Sequence, residues 1–303
     1  MKCKSDHPVD KVMPVKLLLA LVFLVGLSCA KDDEKNIDPE GFESIPVANP
    51  IAPLIVDEAS GIADSKANAG HLWVQQDSGN PNDIALLSHN GTLFKKIIIK
   101  SAVNRDWEDL ATGMGPVNGT NYIYLADIGD NALAASEYNI YRFPEPTSVT
   151  DTVFNCEKIT FQYPDGAHDA EAIVVDNATK DIFIITKQDS PSRVYKIPFP
   201  QNTTSANTAV FAGTVTFSGA TGAAISNDGM ELLVRTYTSV YYWKRMASQS
   251  IEEALASNPA TLETQFEPQG EAICFKNDNS GFFTLSERPS IIAAVNLNFY
   301  KRK

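Results

Sequence analysis

The chain has 303 residues and a formal net charge of −12 at pH 7, and 44% of its residues are hydrophobic. An acidic chain repels nucleic-acid phosphates, and because it has no basic stripe we expect no nucleic-acid partner. No histidine pair forms an HExxH pattern, which argues against a zinc hydrolase. Beyond the first 44 residues the chain is long enough for one domain with a sizeable core.

The first 28 residues predict a signal peptide. An apolar run follows Lys16 and ends at Gly26-Leu-Ser-Cys29, and translation could start at Met1 or at Met13. A basic flank, a short apolar run and a small residue before cysteine are typical of export signals, and the run is too short to span a bilayer comfortably. The junction resembles a bacterial lipoprotein signal. This resemblance implies cleavage before Cys29, lipidation of that residue and attachment to a membrane through the lipid.

Residues 29–44 predict an acidic tether between the lipid and the folded domain. The segment Lys31-Asp-Asp-Glu34 directly follows the cysteine. It resembles the short acidic export signal that sends some Gram-negative lipoproteins to the outer face of the outer membrane. We therefore expect an outer-membrane lipoprotein that faces the cell exterior. The alternative is that these charges only keep the tether solvated.

Five short motifs recur along the rest of the chain, each with a polar or small residue at the start of an apolar run. They are Glu58-Ala-Ser60-Gly-Ile, Asp106-Trp-Glu108-Asp-Leu, Asp169-Ala-Glu171-Ala-Ile, Thr221-Gly-Ala223-Ala-Ile and Gln269-Gly-Glu271-Ala-Ile. Aligned on the final apolar residue, they place Ser60, Glu108, Glu171, Ala223 and Glu271 at one position, with steps of 48, 63, 52 and 48 residues. A period near fifty with strand-like content is typical of a radial repeat.

Each repeat contains apolar runs separated by turn-forming residues, as expected for short strands. The fifth repeat lacks a fourth run, and the apolar segment 45–56 supplies it and closes the ring. We therefore predict an all-β fold over residues 45–303, a five-bladed β-propeller closed by an N-terminal strand. Six blades would need a hidden repeat, and a β-sandwich does not explain a motif in every unit. The fourth repeat also predicts a strand near Leu262–Phe266 and a helix capped by Ser250.

The repeat position indicates a metal site. In a propeller the first strands of all blades surround the axis, so Glu108, Glu171 and Glu271 converge there. Like charges so close repel strongly, and a cation is the simplest way to keep them ionised. Calcium fits because it accepts about six to eight oxygen ligands in flexible geometry, which Ser60 could help to complete. The alternative is that the carboxylates bind backbone amides and pin neighbouring blades.

A ring of charged residues surrounds the same end of the tunnel. The second strand of each blade runs antiparallel to the first, so its end returns to the mouth that holds the motifs. The residues placed there are Asp77, Asp127, Asp130, Lys187, Arg235 and Glu287. Lys187 and Arg235 beside a cation favour an anionic ligand such as a phosphate or a carboxylate.

Several motifs of the chain form a characteristic set. They are Asp106-Trp-Glu-Asp109, Asp127-Ile-Gly-Asp-Asn131, Asp169-Ala-Glu171-Ala, Arg235-Thr-Tyr237 and Gln269-Gly-Glu-Ala272. Together they resemble a family of bacterial secreted propeller proteins with no settled activity.

The order of residues at the repeat position is also similar, more remotely, to the calcium-activated nucleotidase (apyrase) family. In that family a five-bladed propeller holds calcium on its axis and cleaves nucleoside diphosphates and triphosphates. The resemblance implies calcium ligation by Ser60, Glu108, Glu171 and Glu271. The family has serine at the fourth position, where this chain has Ala223. We therefore carry over the calcium ligands and not the nucleotide specificity.

Two functions fit these patterns. The first is a calcium-dependent hydrolase of a phosphate-containing or other anionic substrate, in which Lys187 and Arg235 neutralise developing charge and Asp77 or Asp127 acts as the base. The second is a non-catalytic module that binds a surface ligand or a protein and uses the cation for stability. Propellers host both kinds of function, so the fold does not decide between them.

Overall fold

The computed structural model describes residues 41–289 and 295–303. Its strands form five small sheets, each a blade that begins with one of the five repeat motifs. The all-β, five-bladed propeller predicted from the repeats is therefore confirmed, and the six-bladed alternative is wrong. The predicted signal peptide 1–28, the predicted lipidation site Cys29 and the acidic run after it lie outside the described residues. Within the described ranges no helix is long and apolar enough to cross a membrane.

The first two blades follow an N-terminal strand, β1 (Val47–Ile51). Blade 1 contains β2 (Ala59–Asp64), β3 (His71–Gln76), β4 (Asp83–Ser88) and β5 (Leu93–Ile99). Blade 2 contains β6 (Trp107–Met114), β7 (Asn121–Asp127), β8 (Tyr138–Pro144) and, after the short β9 (Thr152–Val153), β10 (Glu157–Gln162). Strand β9 pairs in parallel with β5, so the chain that leaves blade 2 covers part of the outer edge of blade 1.

The next two blades repeat the same antiparallel order. Blade 3 contains β11 (Ala170–Val175), β12 (Ile182–Thr186), β13 (Arg193–Ile197) and, after the short β14 (Asn207–Thr208), β15 (Val210–Thr214). Blade 4 contains β16 (Gly222–Ile225), β17 (Glu231–Arg235), β18 (Val240–Lys244) and β19 (Ala260–Leu262). The strand predicted near Leu262–Phe266 thus lies earlier than expected.

The single helix of the described residues is α1 (Ile251–Leu255), between β18 and β19. Ser250 caps it as the sequence predicts: its side chain accepts from the backbone N–H of Glu253, and the Glu253 side chain accepts in return from the Ser250 N–H. This reciprocal arrangement satisfies two backbone donors that the helix itself leaves unpaired.

The fifth blade is completed by the beginning of the domain. Its own strands are β20 (Gly270–Phe275), β21 (Gly281–Ser286) and β22 (Val295–Lys301), and β1 pairs antiparallel with β22 as the fourth strand. The predicted closure by the segment 45–56 is therefore confirmed. Ile51 has no exposed surface and packs in the cluster between blades 5 and 1, so the closing strand is also held by apolar burial.

Residues directly before the predicted start of the domain also contact the propeller. Phe42, within the segment 29–44 assigned to the tether, is 7% exposed and packs edge-on against Phe282 with ring centroids 4.9 Å apart. The Arg302 guanidinium lies 4.5 Å from the centre of the Phe42 ring. Phe42 therefore packs against blade 5, and the next residue, Glu43, donates its backbone N–H to the Lys301 carbonyl at 2.8 Å.

The core consists of apolar clusters between neighbouring blades. Trp73 and Trp107 share one cluster that contains residues of blades 1 and 2, and Trp243 lies in a cluster that joins blades 3 and 4. The tryptophans thus pack between blades. Because each blade contributes to the core on both of its faces, the inner strands are fixed relative to one another around the mouth.

Candidate metal centre at the acidic mouth

The four predicted metal ligands share one backbone feature, a β-bulge on the inner strand. In blades 1, 2, 3 and 5 the pairing of the first two strands skips one residue, and that residue is Ser60, Glu108, Glu171 and Glu271, respectively. A bulge redirects the side chain of the extra residue. In blade 4 the pairing runs through Ala223 without a break, so this blade lacks both the ligand and the bulge.

The bulged residues are buried at the start of their strands. Ser60 is 1% exposed, Glu108 and Glu171 are each 3% exposed, and Glu271 is 5% exposed. Burial raises the pKa of Glu108 well above its ordinary value, and the neighbouring Glu171 adds to the effect. The site therefore concentrates carboxylates where ionisation is costly unless a positive charge compensates for it.

On the side of blades 3 to 5, side chains of the protein itself satisfy the carboxylates. The Lys187 ammonium donates to Glu171 Oε1 and, at 3.0 Å, to the Tyr237 hydroxyl. Tyr237 donates to Glu271 Oε1 at 3.0 Å, and Ser60 donates to Glu271 Oε2 at 2.9 Å. The Glu171 Oε2 atom, in contrast, is buried without a partner among the described residues.

On the side of blades 1 and 2, three carboxylates lie together without a basic partner. Ligand oxygens of Asp77, Asp106 and Glu108 all lie within 4.8 Å of one another. Asp77 and Asp106 are half-buried, whereas Glu108 is buried and accepts no hydrogen bond from any residue between 41–289 or 295–303. This group combines a water-exposed side with a buried carboxylate that lacks a hydrogen-bond donor.

Close packing of the backbone holds two of these carboxylates in place. A Cβ atom at Gly129 would lie 2.2 Å from Glu108 Oε1 and 2.5 Å from Asp106 Oδ2. The loop after β7 therefore approaches the acidic group as closely as a residue without a side chain allows.

The acidic surroundings also alter the protonation of the outer residues. The pKa of Asp77 is raised to about 6, first by burial and then by the neighbouring Asp106, Glu271 and Glu58. Burial and the neighbouring Glu271 raise the pKa of Glu287 to about 9. Protons and a metal cation would thus compete for the same oxygens at the mouth.

Asp127 lies at the edge of the acidic group and is occupied by local contacts. It is 1% exposed, its Oδ1 accepts from the Asp106 backbone N–H at 2.8 Å, and the Arg105 Nε lies 3.6 Å from that oxygen. Asp130, which follows it, accepts from two backbone N–H groups of its own loop and from Tyr138. These contacts are those of a turn.

Arg235 does not reach the acidic group. Its side chain is 4% exposed, and its guanidinium donates to Glu267 at 2.9 Å and to the Ala272 backbone carbonyl at 3.0 Å. The prediction that Arg235 lines the mouth followed from its place at the end of β17. The arginine instead packs between blades 4 and 5, where a buried carboxylate compensates its charge.

Asp109 is an important residue that the sequence reasoning did not single out. It is fully buried, and its carboxylate accepts from the backbone N–H groups of Leu110 at 2.7 Å and Ile173 at 2.9 Å. Burial raises its pKa well above the ordinary value. Asp109 links the inner strands of blades 2 and 3, and its role matches the blade-pinning alternative considered for the carboxylates.

The residues present fit a calcium ion better on one side of the mouth than on the other. Calcium takes oxygen ligands from carboxylates and water in flexible geometry. Asp77, Asp106 and Glu108 offer such oxygens within 4.8 Å of one another and without a salt bridge, which favours a cation at this position. The predicted ligands Ser60, Glu171 and Glu271 also approach this group, and each has a hydrogen-bond partner, although Glu171 Oε2 has none among the described residues.

Comparisons with known proteins describe only the fold. No protein-family model and no curated protein matches the chain. Among solved structures, hydrazine synthase of Kuenenia stuttgartiensis matches with 11% sequence identity and a TM-score of 0.42, over 82% of this chain and 63% of that chain, so the match spans less than two thirds of the hydrazine synthase chain. A nidogen/laminin complex matches with 12% identity and a TM-score of 0.44, over 75% of this chain and 72% of that chain.

Proposed function

We propose that the protein is a calcium-binding propeller that recognises an anionic ligand at its acidic mouth. The observation that carries the proposal is the cluster of Asp77, Asp106 and the 3% exposed Glu108, whose ligand oxygens all lie within 4.8 Å of one another. Carboxylates crowded together at a buried site repel one another and are costly to keep ionised, and a divalent cation bound by the three residues removes that cost. The neighbouring Ser60, Glu171 and Glu271 add negative potential to the same site.

The proposed ligand is anionic because a cation held at an exposed edge keeps coordination positions open toward solvent. Asp77 and Asp106 are half-buried, so a phosphate or carboxylate group has access to this side of the site. The bound cation supplies the positive charge that such a group needs. Lys187 and Arg235 are engaged with Glu171 and Glu267, and this observation favours a binding module over a catalytic site.

Hydrolysis of a phosphate-containing substrate is the second candidate function. Asp77 is the candidate base, and in the absence of a metal ion its pKa of about 6 suits a group that takes up a proton near neutral pH. When bound, a divalent cation would polarise the scissile group of such a substrate. Asp127 is less suited to act as the base because it is 1% exposed.

We also propose that the protein is an outer-membrane lipoprotein, anchored through Cys29 and exposed at the cell surface. Membership of the secreted bacterial propeller family, and the remote relation to calcium-activated nucleotidases, remain proposals that rest on the motifs. The order of the bulged residues Ser60, Glu108, Glu171 and Glu271 supports the second relation. Ala223 and the regular pairing of blade 4 weaken it.

Thermal melting with EDTA and then with restored calcium tests the proposed site. We expect calcium to raise the melting temperature of the protein by several degrees, because a ligand that binds only the folded state stabilises it. Glu108→Gln should abolish this calcium effect. Glu263→Gln removes the same charge at an exposed position and should leave the effect intact. Equal melting curves with EDTA and calcium would contradict the proposal.

The two candidate functions differ in the fate of the ligand once calcium is bound. Incubation of the calcium-loaded protein with a panel of phosphate esters should show no turnover if the mouth is a binding module. Turnover that is lost in Asp77→Asn, in a variant whose melting curve remains cooperative, would instead establish the hydrolase.

A further inference from the structure

We infer that Lys187 is a built-in cation that neutralises the axial carboxylates and thereby confines the metal ion to the side of blades 1 and 2. This inference rests on the proposed function and refines it: it assigns a residue that determines where the ion binds and how tightly. The repeat motifs alone place the ion on the axis, with four ligands from four blades. The contacts of Lys187 explain why the ion is displaced from that position.

The strand pairing of blade 3 positions the ammonium group of Lys187. Lys187 follows β12, and its backbone N–H bonds to the Asp169 carbonyl at 2.9 Å, which extends the pairing with the inner strand toward the mouth. From there its ammonium reaches Glu171 Oε1 and the Tyr237 hydroxyl, and it lies 5.1 Å from the centre of the Tyr237 ring. The ammonium group is therefore held between an axial carboxylate and a hydroxyl group of the neighbouring blade.

Blade 4 has no acidic residue at the repeat position. Ala223 stands at that position, and Tyr237, from the loop after β17, reaches Glu271 from the same blade. Its hydroxyl donates to Glu271 and accepts from Lys187, so the two residues together take the place that a fourth ligand and an axial ion would occupy. Blade 4 thus contributes a neutral hydrogen-bonding group to the axis.

The two sides of the mouth differ in the basic residues that contact their carboxylates. The described residues form no salt bridge to Asp77, Asp106 or Glu108, although the charge of Arg105 counteracts the rise that burial causes in the pKa of Asp106. Arg105 itself lies 3.6 Å from Asp127 and donates to backbone carbonyls of Asp127 and Gly129. One side of the site therefore has a carboxylate in direct contact with an ammonium group, and the other side has no such contact. A divalent ion gains most where no internal cation competes with it.

The consequence is that loss of the Lys187 charge should strengthen calcium binding. Without the ammonium, both oxygens of Glu171 become available beside Glu108 and Glu271, and the repulsion between Lys187 and a bound ion disappears. A unit charge removed within a few ångströms of the ion should lower the half-saturating calcium concentration by about tenfold or more. A purely structural lysine would leave the calcium affinity unchanged or weaken it.

Isothermal titration of calcium into the wild-type protein, Lys187→Met and Lys187→Arg tests the inference. We expect Lys187→Met to bind calcium at least about tenfold more tightly than the wild type, and Lys187→Arg, which keeps the charge, to stay within about threefold of it. Lys187→Gln is neutral but can still donate to Glu171. It serves as the second variant if Lys187→Met does not fold, and the same increase in affinity is expected for it.

The titrations separate this inference from the proposed function. Wild-type binding with unchanged or weaker binding in the neutral variants would overturn the role of Lys187 and leave the calcium site standing. Binding by the neutral variants alone would overturn the proposed calcium function of the wild type and support the role of Lys187. Absence of binding in all variants would overturn both.

Discussion

At the scale of single residues, Gly129 is the position at which a very small change should affect the metal site most selectively. A Cβ atom there would lie 2.2 Å from Glu108 Oε1 and 2.5 Å from Asp106 Oδ2. Both neighbours are ends of side chains, which can rotate away at little cost to the fold. We therefore expect Gly129→Ala to separate the two carboxylates.

Calcium titration of Gly129→Ala should show binding weakened by about tenfold or more, because the ligand oxygens are displaced from their shared position. Thermal melting in EDTA provides the control and should change little. A variant that binds calcium as tightly as the wild type would show that Glu108 and Asp106 do not bind the ion together.

Asp109 should matter for stability and not for the ion. Replacement by alanine leaves the backbone N–H groups of Leu110 and Ile173 buried without their acceptor. We expect the free energy of unfolding to fall by roughly 2–4 kcal/mol, as measured by urea denaturation. The matched control is Asp151→Ala, at an 88% exposed side chain, which should change it by about 0.5 kcal/mol or less. Equal effects of both variants would contradict the pinning role.

The sequence predicts some of these residues and misses others for a physical reason. Glu108, Glu171 and Glu271 are found because a repeat places equivalent residues at equivalent points of each blade. Asp109 and Tyr237 act across blades, and their partners are 64 and 34 residues away in the chain. Such contacts depend on how neighbouring blades pack, which a periodic pattern does not reveal.

At the scale of elements, the ring depends on the N-terminal strand β1. Ile51 is fully buried at the end of this strand, whereas Val47, at its beginning, is 60% exposed. We expect Ile51→Ala to lower the free energy of unfolding by about 2–5 kcal/mol, since it removes buried methyl groups from the joint between blades 5 and 1.

Val47→Ala provides the matched control on the same strand and should cost about 0.5 kcal/mol or less. Urea denaturation of both variants measures the difference. If the two substitutions have the same effect, the burial of β1 does not contribute to closure of the ring.

The strands themselves are well predicted by sequence because alternating apolar runs and turn residues mark them locally. The clearest error is the outer strand of blade 4, which was expected near Leu262–Phe266 and is found at Ala260–Leu262. Phe266 is 74% exposed. An outer strand pairs on one side only, so hydrophobicity defines its bounds less strictly than those of an inner strand.

At the scale of the whole molecule, the acidic mouth should make stability depend on pH in the absence of a metal ion. The pKa of Asp77 is raised to about 6 and that of Glu287 to about 9, with burial as the first cause in both. A raised pKa means that the folded state binds the proton more tightly than the unfolded state. The stabilisation is therefore complete below the ordinary carboxyl pKa of about 4 and is lost as pH rises through these values.

We expect the melting temperature in EDTA to fall between about pH 5 and pH 9, and calcium to offset more of this loss at the higher pH, because it competes with protons for the same oxygens. Melting curves at several pH values, with and without calcium, measure both effects. A melting temperature in EDTA that rises over this range would contradict the raised pKa values.

Anomalous diffraction from crystals grown with calcium shows directly where the ion binds. We expect one peak between Asp77, Asp106 and Glu108, about 2.3–2.6 Å from oxygens of these residues. We also expect Lys187 to contact Glu171 in the same crystal, as it does without the ion. A peak on the axis between Glu171 and Glu271, with Lys187 displaced, would contradict this expectation, and so would the absence of any peak at the mouth.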